Sequence, residues 1–205
     1  MNIKLTAKEL KTINYYDTHA FERVKKHGSD ERFKEDRKKI IDLAPSGKII
    51  EIGVGIGPDA PELIRHFGLE NYIGVEPAEG LIRIVKEKIP GIKILKTNIF
   101  DMEFPSNSFD VFWACAVLIH IPKNKLQKAF NKIKSCVKKG SFGFISIMEG
   151  NLNMEESRPG RYYSLWGQEA FESELSKAGF SVYRKRRIVP ENGSPWLAYI
   201  VKIYE

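Results

Sequence analysis

Seven residues, Glu51-Ile-Gly53-Val-Gly55-Ile-Gly57, concentrate the most specific chemistry in this chain of 205 residues. Glycines at every second position leave a backbone bare enough to press against a ligand. Glu51 precedes them inside an apolar run, and a carboxylate removed from water needs a partner. A ligand ammonium group meets that need, whereas a pyrophosphate is repelled. The dinucleotide fingerprint, counted from Gly53 and Gly55, requires a third glycine at position 58, and Pro58 stands there. No Gly-Lys-Ser/Thr follows, so the chain lacks the phosphate-cradling P-loop. Glu76 ends a second apolar run about 20 residues past the turn, where an acid accepts from two ribose hydroxyls. The pattern therefore points to a ribose-bearing ligand with an ammonium group in place of a pyrophosphate.

The elements that must position these residues are legible around them. Ile49, Ile50 and Ile52 make a short β-branched run, the mark of a buried parallel strand. Asp59-Ala-Pro61-Glu62 reads as a helix start, with Asp59 as N-cap and Glu62 completing a capping box. Further helices are expected at 30–44 (Phe33, Ile40, Ile41 and Ala44 inward), 78–88, 123–138 and 167–178, stopped by Pro45, Pro90, Gly140 and Gly179. Strands are expected at 71–76, 92–97, from Phe109 through Cys115, and at 142–148, so helices and strands alternate as in a doubly wound sheet. Two closing strands, about 180–189 and 196–204, flank an Asn192-Gly193 turn signal.

Four stretches, in this order and spacing, resemble the class I S-adenosylmethionine-dependent methyltransferases, of the small single-domain kind that acts on small molecules. They are Glu51–Gly57, Gly74-Val-Glu76-Pro77, the segment Asn98–Asp110, and the run from Phe109 through Ala114, Leu118 and His120 to Pro122. The resemblance implies an α/β fold, a doubly wound, mostly parallel seven-stranded sheet with a C-terminal antiparallel hairpin. It implies one domain over 1–205, with 1–45 as a helical lid and 46–205 as the Rossmann-like core. S-adenosyl-L-methionine is the implied cofactor. Glu51, Gly53, Gly55 and Gly57 would surround its amino-acid end, Glu76 and Pro77 its ribose, Asn98 and Ile99 its adenine, with Ala114 at the fourth strand's end. Asn98 replaces the family's usual Asp, and its amide oxygen remains able to accept from an exocyclic amine. Trp113 is bulkier than the family's usual residue and is expected to pack beneath a helix.

The implied reaction is in-line methyl transfer, for which position and a dry pocket matter more than a fixed base. His120 is the single candidate base, set against a structural reading as a helix-start histidine bonded to backbone. Residues 13–24 resemble the lid that folds over the cofactor, where Tyr16 would cover the methionine end and Tyr15 would face the substrate. Arg161 and Tyr163, in the segment Ser157–Trp166, suit a flat or anionic acceptor, or else pin their own loop.

Bulk composition, 42% hydrophobic and 29% charged, is that of an ordinary globular protein. No apolar stretch is long enough for a membrane span, and residues 1–20 lack the apolar block of a signal peptide. Cys115 and Cys136 read as reduced core thiols of a cytoplasmic protein, and four scattered histidines give no metal signal. The net charge of +7, with Arg184-Lys-Arg-Arg187, keeps open an RNA methyltransferase with a basic footprint. A protein that binds the cofactor without transferring its methyl group also stays open, as does, more remotely, a nicotinamide oxidoreductase. The acceptor's identity and the oligomeric state are not legible.

Overall fold

β-Branched and aromatic runs form the centre of a seven-stranded sheet in the computed structural model, which describes residues 4–27, 31–150, 155–158, 160–191 and 193–204. In chain order the helices are α1 (Ala7–Thr18), α2 (Ala20–His27), α3 (Lys34–Leu43), α4 (Ala60–Phe67), α5 (Glu79–Lys88), α6 (Leu126–Cys136) and α7 (Gln168–Lys177). The strands are β1 (Ile49–Ile52), β2 (Tyr72–Glu76), β3 (Ile94–Lys96), β4 (Phe109–Ala114), β5 (Val137–Met148), β6 (Glu155–Arg158), β7 (Arg161–Ser164), β8 (Phe180–Ile188) and β9 (Trp196–Ile203).

The sheet order is β3-β2-β1-β4-β5-β9-β8, with β6 and β7 forming a separate hairpin. β1 runs parallel to both β2 and β4, while β9 runs antiparallel to β5 and to β8. Strand order reverses between β1 and β4, so a crevice opens beyond their carboxyl ends. This is the expected doubly wound sheet with its antiparallel closing hairpin. Asn192 of the expected turn lies outside the described residues, as does the expected first residue of the helix at 30–44.

Period-two alternation sorts β4 into two cores. Phe112 joins Phe130, Phe171 and Phe180 beneath α6 and α7. Val111 and Trp113 point the other way, toward Ile40 of α3 and Leu63 of α4. Trp113 is fully buried and stacks on Phe144 at 3.9 Å, so it packs as expected rather than shaping the cavity. Gly143 permits this packing, because a Cβ there would sit 1.9 Å from the Phe112 ring. Among the described residues no helix is long and apolar enough to cross a membrane.

Three local expectations give way to tertiary demands. Gly140 does not end a helix: α6 stops at Cys136, and Val137 already pairs with Phe109 in β5. The register then jumps to Val111 opposite Phe142, and Gly140 takes φ +76° inside this bulge. Residues 161–164, read as loop, form the second strand of the β6–β7 hairpin.

Asp59 makes no side-chain cap, and the expected capping box with Glu62 does not form. Its carboxylate instead accepts from the Arg37 guanidinium and from Trp113 Nε1 at 2.9 Å, while Glu62 accepts from Arg37 Nε at 2.8 Å. A buried guanidinium on α3 draws both acids of α4's first turn, because charge-assisted bonds exceed neutral caps. A capping box does form at α1, where Thr6 and Glu9 exchange bonds of 3.3 and 2.7 Å.

Arg37→Met leaves Asp59 buried without a counter-charge and should lower the unfolding free energy by about 3–5 kcal/mol in urea titrations. A loss below about 1 kcal/mol, typical of exposed ion pairs, would show the network to be idle.

Candidate functional site

The carboxyl ends of β1, β2 and β4 converge on a cavity of about 480 Å³, roofed by α1. The glycine turn forms its floor, and its three glycines have different duties. Gly53 (φ +75°) abuts Val117, where an added Cβ would lie 2.7 Å away. Gly55 (φ +60°) has no atom nearer than 4.0 Å to such a Cβ, so its bare face looks into open space. Gly57 lies outside the cavity wall and faces Val85 of α5, where an added Cβ would lie 3.1 Å away. Only Gly53 and Gly55 of the expected three therefore border the cavity.

Parallel pairing sets the two acids about this turn. Glu51, 1% exposed, accepts a 2.5 Å bond from the Tyr72 hydroxyl. Burial, followed by the nearby Asp59 charge, pushes its carboxyl well above the usual range. Glu76, 6% exposed, accepts from Gly55 N at 2.9 Å and from Ala78 N at 3.0 Å, one bond to each oxygen. Burial raises it to about 7 against the opposing pull of those amides. Each oxygen keeps a second lone pair, so the carboxylate is able to accept from two further hydroxyls. Pro77 and Ile99 line the wall beside it.

Of two further expected residues, Asn98 lines the cavity and Ala114 does not. Asn98 borders the cavity, but its Oδ1 already accepts from Phe100 N (2.8 Å) and Asp101 N (3.2 Å), and its Nδ2 donates to Asp101. Both carbonyl lone pairs are thus committed to an Asx-type turn, which leaves none for an exocyclic amine. Ala114 is fully buried and does not reach the wall, which Cys115, Ala116 and Val117 form instead. Ala116 adopts φ +54°, held by a 2.9 Å bond from its N–H to Ser146 Oγ.

The segment 13–24, expected to act as a lid, lies on α1 and α2. Thr12 Oγ1 accepts from Tyr162 N at 2.9 Å, Glu9 accepts from Lys125 at 2.6 Å, and Asp17 Oδ1 accepts from Gly80 N at 2.5 Å. Gly80 admits this contact, since a Cβ would lie 2.2 Å from the Asp17 carbonyl. Tyr16 lines the cavity, but Tyr15 does not. Tyr15 stacks on His19 at 4.3 Å and packs over Gly160 and Arg161, which puts its ring between α1 and the β6–β7 hairpin.

Tyr16 meets His120 beneath the lid, with Oη 3.0 Å from Nε2. The other imidazole nitrogen, Nδ1, lies 2.7 Å from the Tyr162 carbonyl. A carbonyl only accepts, so Nδ1 carries the proton, and Nε2 accepts from the Tyr16 hydroxyl. Burial lowers the imidazole to about 4, keeping it neutral, and burial likewise raises the Tyr16 phenol. One nitrogen is thus anchored to backbone, as in the structural reading, and the other faces a hydroxyl at the cavity. Arg161 and Tyr163 line the same end, with Tyr163 and His120 rings 5.0 Å apart. The site also recruits Arg23, Thr12 and Glu9, which the sequence reading did not single out; the Thr6-x-x-Glu9 spacing is the one local signal among them. Among the described residues no three His, Cys, Asp or Glu cluster as a metal site.

Comparison with known proteins agrees with this arrangement. Residues 49–140 match a family model described as a methyltransferase domain. Phosphoethanolamine N-methyltransferase of Plasmodium falciparum is 25% identical over 122 residues, 58% of this chain and 42% of that protein. A sterol 24-C-methyltransferase of Gibberella zeae is 27% identical over 114 residues, 53% of this chain and 29% of that protein. The chain thus spans less than half the length of these curated relatives. The crystal structure of Burkholderia thailandensis 1,6-didemethyltoxoflavin-N1-methyltransferase, with bound S-adenosylhomocysteine, superimposes with a TM-score of 0.80 at 12% identity, covering 100% of this chain and 94% of that one. Residues 49–140, a little under half of the chain, are thus similar to a methyltransferase domain, and the fold is shared with solved S-adenosylmethionine-dependent methyltransferases.

His120 is held below the ordinary 6.5, so its neutral ring contributes stability above pH 6.5 that is lost as pH falls toward 4. An NMR titration of the imidazole should find its midpoint near 4. A midpoint near 6.5 would mean that the ring is solvated and the Tyr16 contact absent.

Proposed function

We propose that the chain binds S-adenosylmethionine at its glycine turn and transfers the methyl group to a small molecule held beneath α1. The observation that carries this reading is Gly55, bare toward the cavity between two buried carboxylates, Glu51 and Glu76. That cradle suits a ligand with a ribose at one end and a cationic amino acid at the other. Glu76 would hold the ribose hydroxyls, with Pro77 and Ile99 flanking the base, and Glu51 would face the ammonium group through its surroundings. Bound there, the cofactor supplies an activated methyl group that an acceptor lone pair displaces.

The chain's own residues would place and dry the acceptor. α1 roofs the cavity, and Thr12 and Tyr16 tie that roof to the β7 hairpin and to His120. Neutral His120 offers Nε2 as a proton acceptor through Tyr16, a role needed only when the acceptor arrives protonated. In this reading the chain works as one domain, with residues 1–45 as the lid. Cys115 and Cys136, both free thiols, support a cytoplasmic setting.

The rival readings find no such support. The basic run of β8 is internally compensated: Arg184 and Arg186 pair with Glu35, Lys185 with Glu172, and Arg187 with Glu149. A footprint already neutralised by its own acids has little left for RNA phosphates. Pro58 argues against a nicotinamide dinucleotide, and the Tyr16–His120 contact would serve no purpose in a passive binding module.

Incubation with S-adenosylmethionine and a metabolite extract should release S-adenosylhomocysteine. Gly55→Arg, whose side chain would occupy the open space above the turn, should reduce that release to background. Product formation that survives Gly55→Arg would place the cofactor elsewhere. No release with any extract fraction would leave binding without transfer.

A further inference from the structure

Charge is unevenly spread over the cavity wall. Glu51 and Glu76 occupy the floor, the further lining acids Asp59 and Glu9 are paired with Arg37 and Lys125, and Arg23 from α2 and Arg161 from β7 stand near the Tyr16–His120 pair. The Arg161 guanidinium lies 4.6 Å from the Tyr15 ring centroid and 5.5 Å from that of Tyr163, and its buried Nε has no hydrogen-bond partner. Arg23 lies 5.4 Å from the Tyr16 ring. Among the described residues no carboxylate forms an ion pair with either arginine. Arg37, Arg186 and Arg187 differ, each holding a carboxylate within 2.8 Å. Two guanidiniums beside one cavity, with no acid partner among the described residues, repel each other; Arg161 is engaged by the Tyr16 hydroxyl, and its Nε remains unpaired. Both act on the same spot, since their charges add to burial in keeping His120 neutral.

Resting on the methyl-transfer reading above, we infer that the acceptor is a small anion whose phosphate or carboxylate group is clasped between Arg161 and Arg23. Guanidinium forks match either oxyanion in bidentate fashion, and the surrounding rings confine the fork. The arrangement divides the two ligands by charge: the cationic cofactor goes to the acidic floor and the anionic acceptor to the basic end. A fully apolar acceptor would bury both guanidiniums without a counter-charge, a cost that excludes it. The two arginines come from different elements, so the anion also bridges the lid to the β6–β7 hairpin. Acceptor binding thereby completes closure over the cavity.

The test uses the full chain saturated with S-adenosylhomocysteine, whose binding is first verified by calorimetry. Inorganic phosphate, acetate and chloride are then titrated at matched ionic strength while the melting temperature is followed. Phosphate or acetate should raise it saturably and chloride should not. Saturation at lower phosphate than acetate assigns a phosphate group, and the reverse assigns a carboxylate. Arg161→Met and Arg23→Gln should each weaken the response about tenfold, and Arg161→Lys should retain part of it. Equal responses of the unmodified protein to all three anions would overturn the inference without recourse to any variant. So would unchanged saturation in both Arg161→Met and Arg23→Gln. Failure of S-adenosylhomocysteine itself to bind would instead sink the methyl-transfer reading on which the inference rests.

Discussion

One carboxylate holds the working end of this molecule together. Glu76 closes β2 and accepts from the amides of Gly55 and Ala78, tying the glycine turn to the start of α5. The parallel register makes this contact possible, because Ile52 lies beside Val75, whose carbonyl then takes Gly53 N at 2.8 Å. The turn is thereby pulled against the second strand, and Gly55 is left facing the cavity. An acid so deeply buried is costly unless its remaining lone pairs are also used. The apo arrangement is therefore complementary to a ligand that brings hydroxyl donors to this carboxylate.

The rest of the site follows from that constraint. In the proposed reading, a ribose at Glu76 would direct the amino-acid end toward Glu51 and the transferable group toward the far end, beneath α1. That far end is where chain segments remote in sequence meet: Tyr16 from the lid, His120 from beyond β4, and Arg161 from the β7 hairpin. The lid is fastened by polar contacts to several elements, including Gly80 of α5, Lys125 and Tyr162. Apolar contacts add to these, with Tyr16, Ala20 and Val24 packed against Leu81 and Ile84 of α5.

Much of this was legible because the decisive signals are local. Glycine spacing with a buried acid excluded a dinucleotide, and the second acid stood at the distance a βαβ unit dictates. Alternation along Phe109–Ala114 and the long aliphatic stripe of α6 placed the core. Where local reading failed, a long-range demand had outbid it. Asp59 carries a sound N-cap signature, yet a buried guanidinium 22 residues away takes its carboxylate. Gly140 looks like a helix stop, but β5 pairing begins at Val137 and uses the glycine for a bulge. Asn98 spends its amide on its own turn, and Ala114 falls one residue short of the wall. The contact between Tyr16 and His120 spans 104 positions, and no window of sequence reveals it.

The central claim, that the turn at Gly53–Gly57 with Glu76 accommodates an adenosyl amino acid and not a dinucleotide, is tested most directly by calorimetry. S-adenosylhomocysteine should bind the full chain at one site per molecule, with affinity lost in Glu76→Ala, while NADH gives no heat of binding. Saturable binding of NADH, or no heat with S-adenosylhomocysteine, would contradict the account.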